Sequence, residues 1–570
     1  MILIKNGNII DVINSKIYKT NIVINNKTIF KIGDFDEKDY DYTEIINAEN
    51  NFLVPGLIDA HCHNEMTMLS PISFAELIIP TGTTSIILDC HDLANTIGIK
   101  EALKFNQNEF KNTPLKVFNM IPICIPSNPN TENCHKTSDS DEIIEIINTE
   151  NITGIAEVMD VKGILDEDKK LIKILNEAKK RGLLIDGHSP ELTGENLTRY
   201  IKNSGVSTDH EFTSTSEAIE KIKKGLKLIL RRGNTIEPNA KELIEEIKEH
   251  SLKSDLLLST DGCTTPQKII KEGYMDYAIR TIIKEGVSPI EAIKMSTINT
   301  ANHYNLKNIG ALKEGYNADI LIVNDLNNFN ITKVIVNGIV IKKENHYPRN
   351  KHDEQITNTI KKSFVNKEDF QLIPEGNLSK YKVNTIKLKH KSLITEKIIS
   401  ELEYDEYIKA DSNKDILYLS VINRYEPNGK IINGFINGFG LKKGAICCSN
   451  AQDAQNLIVI GTNHEDMANS VNEVIKLQGG CAISENNEII NKINLPIAGI
   501  MSDENPFSFS KLILNLENEL KKRGCQIENP LFTISLCLTV SSIPEIKMTD
   551  KGLYDVNKNK FVDIILNENK

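Results

Sequence analysis

The chain contains 570 residues with a mass of 64.0 kDa, of which 40% are hydrophobic and 25% are charged. This composition excludes a disordered protein. The chain is long enough for two or three domains, each with a hydrophobic core. The net charge is −11 and no basic block is present, which argues against nucleic acid as a partner because phosphate binding needs clustered Lys and Arg.

The N-terminal stretch MILIKNGNIIDVINS alternates apolar and polar residues, which predicts a β-hairpin and not the continuous apolar segment of a signal peptide. No apolar run approaches the roughly 18 to 20 residues that span a bilayer. The ten cysteines include no C-x-x-C pair, so neither a zinc ribbon nor a secreted disulfide framework is expected. We therefore expect a cytoplasmic protein that does not bind membranes.

From about residue 53 to residue 300, short apolar runs alternate with helical patterns. The runs are FLVPGLIDAH, TTSIILDC, LKVFNMIPICIP, ITGIAEVM, LLIDGHSP, GVSTDHE, LKLILRR and DLLLSTDG. Eight strand-and-helix units over about 250 residues are typical of a (β/α)8 barrel. Runs that are apolar on both faces are likewise typical of parallel strands covered by helices.

Polar side chains collect where these runs end. His61 and His63 end the first run, His91 follows the second, Glu157 ends the fourth, His188 the fifth, His210 the sixth and Asp261 the eighth. In a (β/α)8 barrel the carboxyl ends of the strands meet at one rim, where the loops build the active site. Structural or surface residues would have no reason to gather there, so the pattern predicts one common site.

The residue types at these strand ends favour metal-assisted hydrolysis. Imidazole nitrogens and carboxylate oxygens suit divalent ions such as Mn²⁺, Fe²⁺ or Zn²⁺. Four histidines, one carboxylate that could bridge and one at the last strand are enough for two ions. Such a pair can lower the pKa of water from ~15.7 toward ~7. Asp261 could then take the proton of that water and pass it to a leaving group.

The motifs that carry these residues resemble the metal-dependent amidohydrolase superfamily, and within it the adenine deaminase family. The frame VPGLIDAHCH, a strand-four Glu, two later His and a final Asp carry the first resemblance. The second is carried by HCHNEMTMLSP, DCHDLAN, GIAEVMD, DGHSPELTG, DHEFT, GFINGFGLKKGAI, GTNHEDMA, LPIAGIMSDE and IPEIKMTDKGLYDV. Together these similarities extend from about residue 1 to residue 565.

The resemblance implies a reaction, a cofactor and a set of site residues. The reaction is hydrolysis of the 6-amino group of adenine to hypoxanthine and ammonia, as in purine salvage. Two divalent ions are implied, with Mn²⁺ expected first and Fe²⁺ or Zn²⁺ as alternatives, held by His61, His63, Glu157, His188, His210 and Asp261. The catalytic candidates are Asp261, Glu157, Glu65, His91 and Glu211, although the last three could equally make structural hydrogen bonds. A small purine is the implied partner, and a homodimer the implied assembly.

The same resemblance predicts the domain organisation. Residues 53–305 form the barrel, and residues 1–52 and 306–345 form the two parts of a small composite β domain. Residues 378–570 form a C-terminal α+β domain of the kind found in adenine deaminases. The polar stretch 345–377 has little apolar periodicity, which predicts a linker into that last domain.

The chain departs from the family pattern at several positions. The family usually reads E-R-H and A-H-D-S-H-N where this chain has NRYEP and AQDAQN, so Tyr425, Gln452 and Gln455 replace three histidines. In the barrel segment, Asp92 stands where the family has the longer glutamate, Arg232 replaces an acidic residue and Asn234 replaces a serine. Glutamine is a poor transition-metal ligand and no general base near pH 7. Either the last domain is only structural here, or the chain is a paralogue with altered substrate or weak activity.

Two other hypotheses therefore accompany adenine deamination. One is hydrolysis of another cyclic amide or amidine. Many ring-opening amidohydrolases carry a carboxylated lysine at strand four, whereas this chain has Glu157, which favours deamination. The other is a silent paralogue that binds purine, which the lost histidines and Arg232 suggest.

Overall fold

The centre of the molecule is a parallel barrel. The computed structural model describes residues 1–566 apart from 37, 138, 232–239, 253–254, 263, 377 and 390–391. The barrel strands, in chain order, are β1 Leu57–Cys62, β2 Thr83–Leu88, β3 Lys116–Ile121, β4 Gly154–Val158, β5 Leu184–Gly187, β6 Thr208–Asp209, β7 Lys227–Arg231 and β8 Leu257–Ser259. Each strand pairs with the next along the chain, and beyond the last strand the Asp261 N–H donates to the His61 carbonyl at 3.1 Å. The predicted (β/α)8 barrel is confirmed.

The strands form because their sequences suit burial on both faces. Every residue of β1, β2 and β4 is buried, and β2 reads TTSIIL, which is rich in β-branched side chains. Helices cover the outside of the barrel. Their bounds are Pro71–Ile78, His91–Ile97, Ile99–Phe110, Ser140–Thr149, Val161–Leu165, Lys169–Lys180, Gly194–Ser204, Thr215–Lys223, Ala240–Glu249, Pro266–Glu272, Met275–Lys284, Pro289–Met295 and Ile298–His303, with short 3-10 turns at Asn64–Thr67 and Ile79–Thr81.

A second eight-stranded sheet combines the chain before the barrel with the chain after it. Its strands are Ile2–Asp11, Lys16–Asn25, Thr28–Gly33, Glu44–Asn47, Phe52–Pro55, Ile320–Asp325, Asn330–Val336 and Ile339–Val340. The stretch predicted as a hairpin forms the first strand and the turn of one, because Ile2–Asp11 pairs antiparallel with Lys16–Asn25. The register shifts between Ile4 and Gly7, so the polar residues there interrupt the alternation without reversing the chain.

The C-terminal part of the chain contains a nine-stranded sheet. In spatial order its strands are Tyr407–Ile408, Glu396–Asp405, Lys380–Lys387, Ile431–Asn437, Ile416–Ile422, Leu457–Gly461, Ala445–Cys448, Gly480–Glu485 and Glu488–Asn494. The remaining elements are a small sheet of Ile546–Thr549, Gly552–Asp555 and Lys560–Val562, the helices His464–Leu477, Pro506–Lys522 and Pro530–Cys537, and a 3-10 turn at Ser412–Lys414.

The stretch 345–376 packs against both large domains as it connects them. Arg349 donates to both carboxylate oxygens of Glu76 in the first barrel helix, at 2.9 and 2.8 Å. Further along, Ile360 and Phe370 are buried in the C-terminal core. The stretch contains the short helix Glu354–Thr357 and the 3-10 turn Lys367–Phe370. None of the helices described in the structure combines the length and hydrophobicity needed to cross a membrane.

Candidate active site

Two histidines at the end of β1 point into the rim of the barrel. His61 is 1% exposed and His63 is 3% exposed, and their Nε2 atoms lie 2.9 Å apart. Both Nε2 atoms lie 3.3 Å from Oδ1 of Asp261. Nδ1 of His63 lies 3.1 Å from the Asp89 carbonyl, to which it can donate its proton. That hydrogen bond leaves the Nε2 lone pair of His63 facing the cluster, as in a metal ligand.

Glu157 at the end of β4 lies between this pair and two further histidines. Its Oε2 atom is 2.6 Å from Nδ1 of His188 and 3.1 Å from Nε2 of His210. Its Oε1 atom lies 3.5 Å from Nε2 of His63 and 4.0 Å from Nε2 of His61. One carboxylate therefore reaches both pairs of imidazoles.

The two carboxylates at the centre are ionised in this environment. Burial opposes ionisation of Glu157, but the charge of His188 and hydrogen bonds from His188 and His210 outweigh it and hold the Glu157 pKa well below its usual range. Burial likewise opposes ionisation of Asp261, yet hydrogen bonds from His61 and His63 and the charge of Arg231 hold its pKa well below the usual range. A carboxylate must be ionised to bind a cation, so this protonation state suits a metal site.

Asp261 reaches the cluster through a left-handed turn. Its φ angle is 57°, and that of the following Gly262 is 62°. A Cβ atom on Gly262 would lie 2.3 Å from the His63 carbonyl oxygen, so this turn requires glycine. The strained φ of Asp261 is of the kind that functional sites retain.

The donor atoms converge as they would around a divalent ion. The donor atoms form three overlapping sets, and within each set they lie within 4.8 Å of one another. The sets are His61, His210 and Asp261; Glu157, His188 and His210; and His63, Asp89, His91 and Glu157. Imidazole nitrogen and carboxylate oxygen fit borderline divalent ions. The six residues proposed from sequence as ligands are thus brought together, and their chemistry suits a divalent metal.

Buried groups behind the cluster hold its side chains in place. Asp59 accepts from the Thr260 hydroxyl at 2.7 Å and from the His61 N–H at 3.3 Å, which ties β8 to β1. Nζ of Lys221 lies 3.2 Å from the carboxylate of Asp209, the residue that precedes His210 in the chain. These residues were missed by the sequence interpretation, because a polar residue inside a strand or helix pattern carries no signal of its burial.

His91 and Glu65 occupy different depths. Nδ1 of His91 lies 3.5 Å from Oε1 of Glu157, and the ring is part of the cavity wall. Glu65 is fully buried, and neither of its carboxylate oxygens has a hydrogen-bond partner among the described residues. Burial, with the nearby Asp92 carboxylate, raises the pKa of Glu65 to about 8.

Arg231 at the end of β7 joins the site. It donates to both carboxylate oxygens of Glu211, and its Nη1 also donates to Oδ2 of Asp261 at 3.0 Å. A bidentate Arg–carboxylate pair fixes orientation as well as charge. The sequence interpretation concerned the next residue, Arg232, and missed Arg231 because LKLILRR ends with two arginines. Arg232 and Asn234 lie outside the described residues.

The remaining departures from the family pattern meet at one place. Side-chain amides of Gln452 and Gln455 donate to the two oxygens of Asp92, at 2.9 and 2.6 Å. The Tyr425 hydroxyl donates to the Ala454 carbonyl in the same turn, at 2.5 Å. Asp92 in turn lies 3.7 Å from Nε2 of His91. The substituted residues of the C-terminal domain therefore contact the barrel beside the candidate site.

A cavity of about 870 Å³ covers the cluster. The barrel contributes His63, His91, Glu157, His188, His210, Glu211, Arg231 and Asp261 to its wall. The C-terminal domain contributes Gln452 and Asp453 together with apolar side chains such as Phe532, Leu536 and Val540. The size suits a small molecule, since ligand pockets are usually about 300–1,000 Å³.

Comparisons with known proteins agree with this arrangement. Residues 52–341 match the amidohydrolase family, and residues 392–560 match the adenine deaminase C-terminal domain. The chain is 36% identical to the adenine deaminase of Thermosipho africanus, over 99% of this chain and 97% of the relative. It is 34% identical to the adenine deaminase of Archaeoglobus fulgidus, over 99% and 95%, and 34% identical to that of Listeria welshimeri, over 97% and 94%.

Proposed function

Because the chain belongs to the adenine deaminase family of amidohydrolases, we propose that it hydrolyses adenine to hypoxanthine and ammonia as part of purine salvage. The observation that carries this proposal is the meeting of four histidines and two carboxylates at one barrel rim. That cluster lies under a cavity whose wall includes residues of the adenine deaminase C-terminal domain.

The proposed cofactor is a pair of divalent ions, with Mn²⁺ expected first and Fe²⁺ or Zn²⁺ as alternatives. His61, His63 and Asp261 would hold one ion, His188 and His210 the other, and Glu157 reaches both groups. When bound, the ions would supply the Lewis acidity that makes water a nucleophile near neutral pH. The donor set is compatible with all three metals, so availability decides which is bound.

The side chains of the chain supply proton transfer and orientation. Asp261 would take a proton from the water that attacks C6 of adenine and return it to the departing amino group. Arg231 holds the Asp261 carboxylate in position, and Glu211 in turn fixes the Arg231 guanidinium. His91 in the cavity wall is placed to contact the substrate, whereas Glu65 is buried and is not part of the wall.

The direct test is an assay of the purified protein with adenine. Apoprotein is reloaded with Mn²⁺ or Fe²⁺, and the loss of adenine absorbance is measured together with released ammonia. We expect one ammonia for each hypoxanthine formed. Two ions bound per chain without turnover would contradict the proposal and favour the purine-binding paralogue. Turnover of another cyclic amidine or amide, with adenine inert, would favour the diverged hydrolase. The homodimer and the cytoplasmic location remain predictions.

A further inference from the structure

A carboxylate from the C-terminal domain faces the cavity without a partner for one of its oxygens. Asp453 is 5% exposed and is part of the cavity wall. Its Oδ2 atom accepts no hydrogen bond from any described residue, and its Oδ1 atom is 3.9 Å from Nε2 of His91. A buried carboxylate that receives no hydrogen bond is costly, so a ligand in the cavity that donates to the accessible oxygen of Asp453 would be favoured.

Asp453 is the buried carboxylate that the C-terminal domain contributes to this wall beside His91. Glu157 and Asp261 are engaged by histidines, and Glu211 by Arg231. Asp453 lies on the far side of the His91 ring from Glu157, since Nε2 of that ring faces Asp453 and Nδ1 faces Glu157. A flat ligand beside His91 can therefore face the metal ligands at one end and Asp453 at the other.

The turn that carries Asp453 is held rigidly. Gln452 and Gln455, on either side of it, donate to Asp92 of the barrel. The fully buried Arg424 donates to the Gln455 carbonyl at 3.2 Å, and the Thr539 hydroxyl donates to the Gln452 carbonyl. A preorganised acceptor loses little entropy on binding and therefore contributes more of its hydrogen bond to affinity.

We propose that the Asp453 carboxylate accepts a hydrogen bond from the imidazole-ring N–H of the purine, so that the site selects free bases over nucleosides and nucleotides. A substituent on N9 removes the donor and places its bulk against the carboxylate. A site built to hydrogen-bond a substrate N–H discriminates strongly against analogues that lack it, because its polar group is left unpaired. This inference rests on the proposed function and adds the residue that sets its substrate class.

The test compares two ligands that are not consumed, hypoxanthine and 9-methylhypoxanthine, by calorimetry with the metal-loaded full-length protein. The wild type should bind hypoxanthine more tightly. Asp453→Leu should weaken hypoxanthine binding about 10- to 100-fold, as expected for a lost hydrogen bond to a charged group. Binding of the methylated ligand should stay the same or improve. With adenine as substrate, the variant should raise KM much more than it lowers kcat.

Two further variants make the result decisive. Asp453→Asn keeps the shape and a neutral acceptor, so it should lose less affinity than Asp453→Leu and serves if the leucine variant fails to fold. Glu132→Gln is the matched control, because Glu132 is buried close enough to interact with the charge of Asp453 but is not part of the cavity wall. It should keep the wild-type ratio of the two affinities.

The failures of the two proposals are distinguishable. If Asp453→Leu weakens both ligands equally, leaves their ratio unchanged, or is matched by Glu132→Gln, the role of Asp453 is overturned while adenine turnover by the wild type stands. If the wild type binds hypoxanthine with the predicted ratio but releases no ammonia from adenine, the proposed reaction is overturned and the ligand contact stands.

Discussion

Asp261 is held at both of its carboxylate oxygens. Its Oδ1 atom lies 3.3 Å from a nitrogen of His61 and of His63, and its Oδ2 atom accepts from Arg231. The guanidinium and the imidazoles orient the two oxygens separately. One oxygen can thus face a cation while the carboxylate remains able to exchange a proton with a substrate.

Replacement of Asp261 by asparagine tests that role. Asp261→Asn keeps the shape of the side chain but removes its basicity, so kcat for adenine should fall about 10²- to 10⁴-fold, the usual contribution of a general acid or base. The thermal midpoint should change little, because the amide still fills the same space. Retention of wild-type kcat by a folded Asp261→Asn protein would contradict the proton-transfer role.

The sequence could place single side chains at the barrel rim where a strand pattern located them. All six proposed ligands lie at or just after the carboxyl ends of barrel strands, so the strand-and-helix repeat alone predicts that they meet at one rim. Arg231 and Asp453 were missed for different reasons. Arg231 was obscured by a second arginine, and Asp453 reaches the rim from a turn nearly 200 residues downstream of β8, a contact that no local pattern encodes.

At the scale of elements, the helix Thr215–Lys223 supports the second histidine pair. Its residue Lys221 is fully buried and donates to the Ser189 carbonyl at 2.7 Å, directly after His188. The same ammonium lies 3.2 Å from Asp209 and also donates to the Glu211 carbonyl, on either side of His210. One side chain therefore fixes the loops after β5 and β6 relative to each other.

Lys221→Met should disturb that pair of loops. Removal of one partner from a buried ion pair usually costs about 3–5 kcal/mol, so the thermal midpoint should fall clearly. The metal content should fall from two ions per chain toward one, because His188 and His210 lose their common support. Lys223→Met changes an exposed lysine of the same helix and should alter neither quantity. Full metal occupancy in Lys221→Met would show that the loops hold their geometry without the lysine.

At the scale of the whole molecule, the C-terminal domain completes the site. Asn450 and Gln452 reach the barrel beside Glu65 and Asp92, and Phe532 and Leu536 close the cavity. The barrel was predictable because its strands repeat, whereas this contact joins residues far apart in the chain and no local sequence pattern encodes it. The sequence nevertheless contained one indication of this contact. The three positions at which the chain departs from the family pattern, Asp92, Gln452 and Gln455, meet in one hydrogen-bonded cluster.

The most direct measurement is a metal titration of the apoprotein in which bound metal and adenine turnover are followed in the same samples. The wild type should bind two ions per chain, and ammonia release should rise with occupancy of the second ion. A variant with both His188 and His210 changed to alanine should bind one ion and release no ammonia. Full turnover by metal-free protein, or by that variant, would contradict a binuclear centre at the barrel rim.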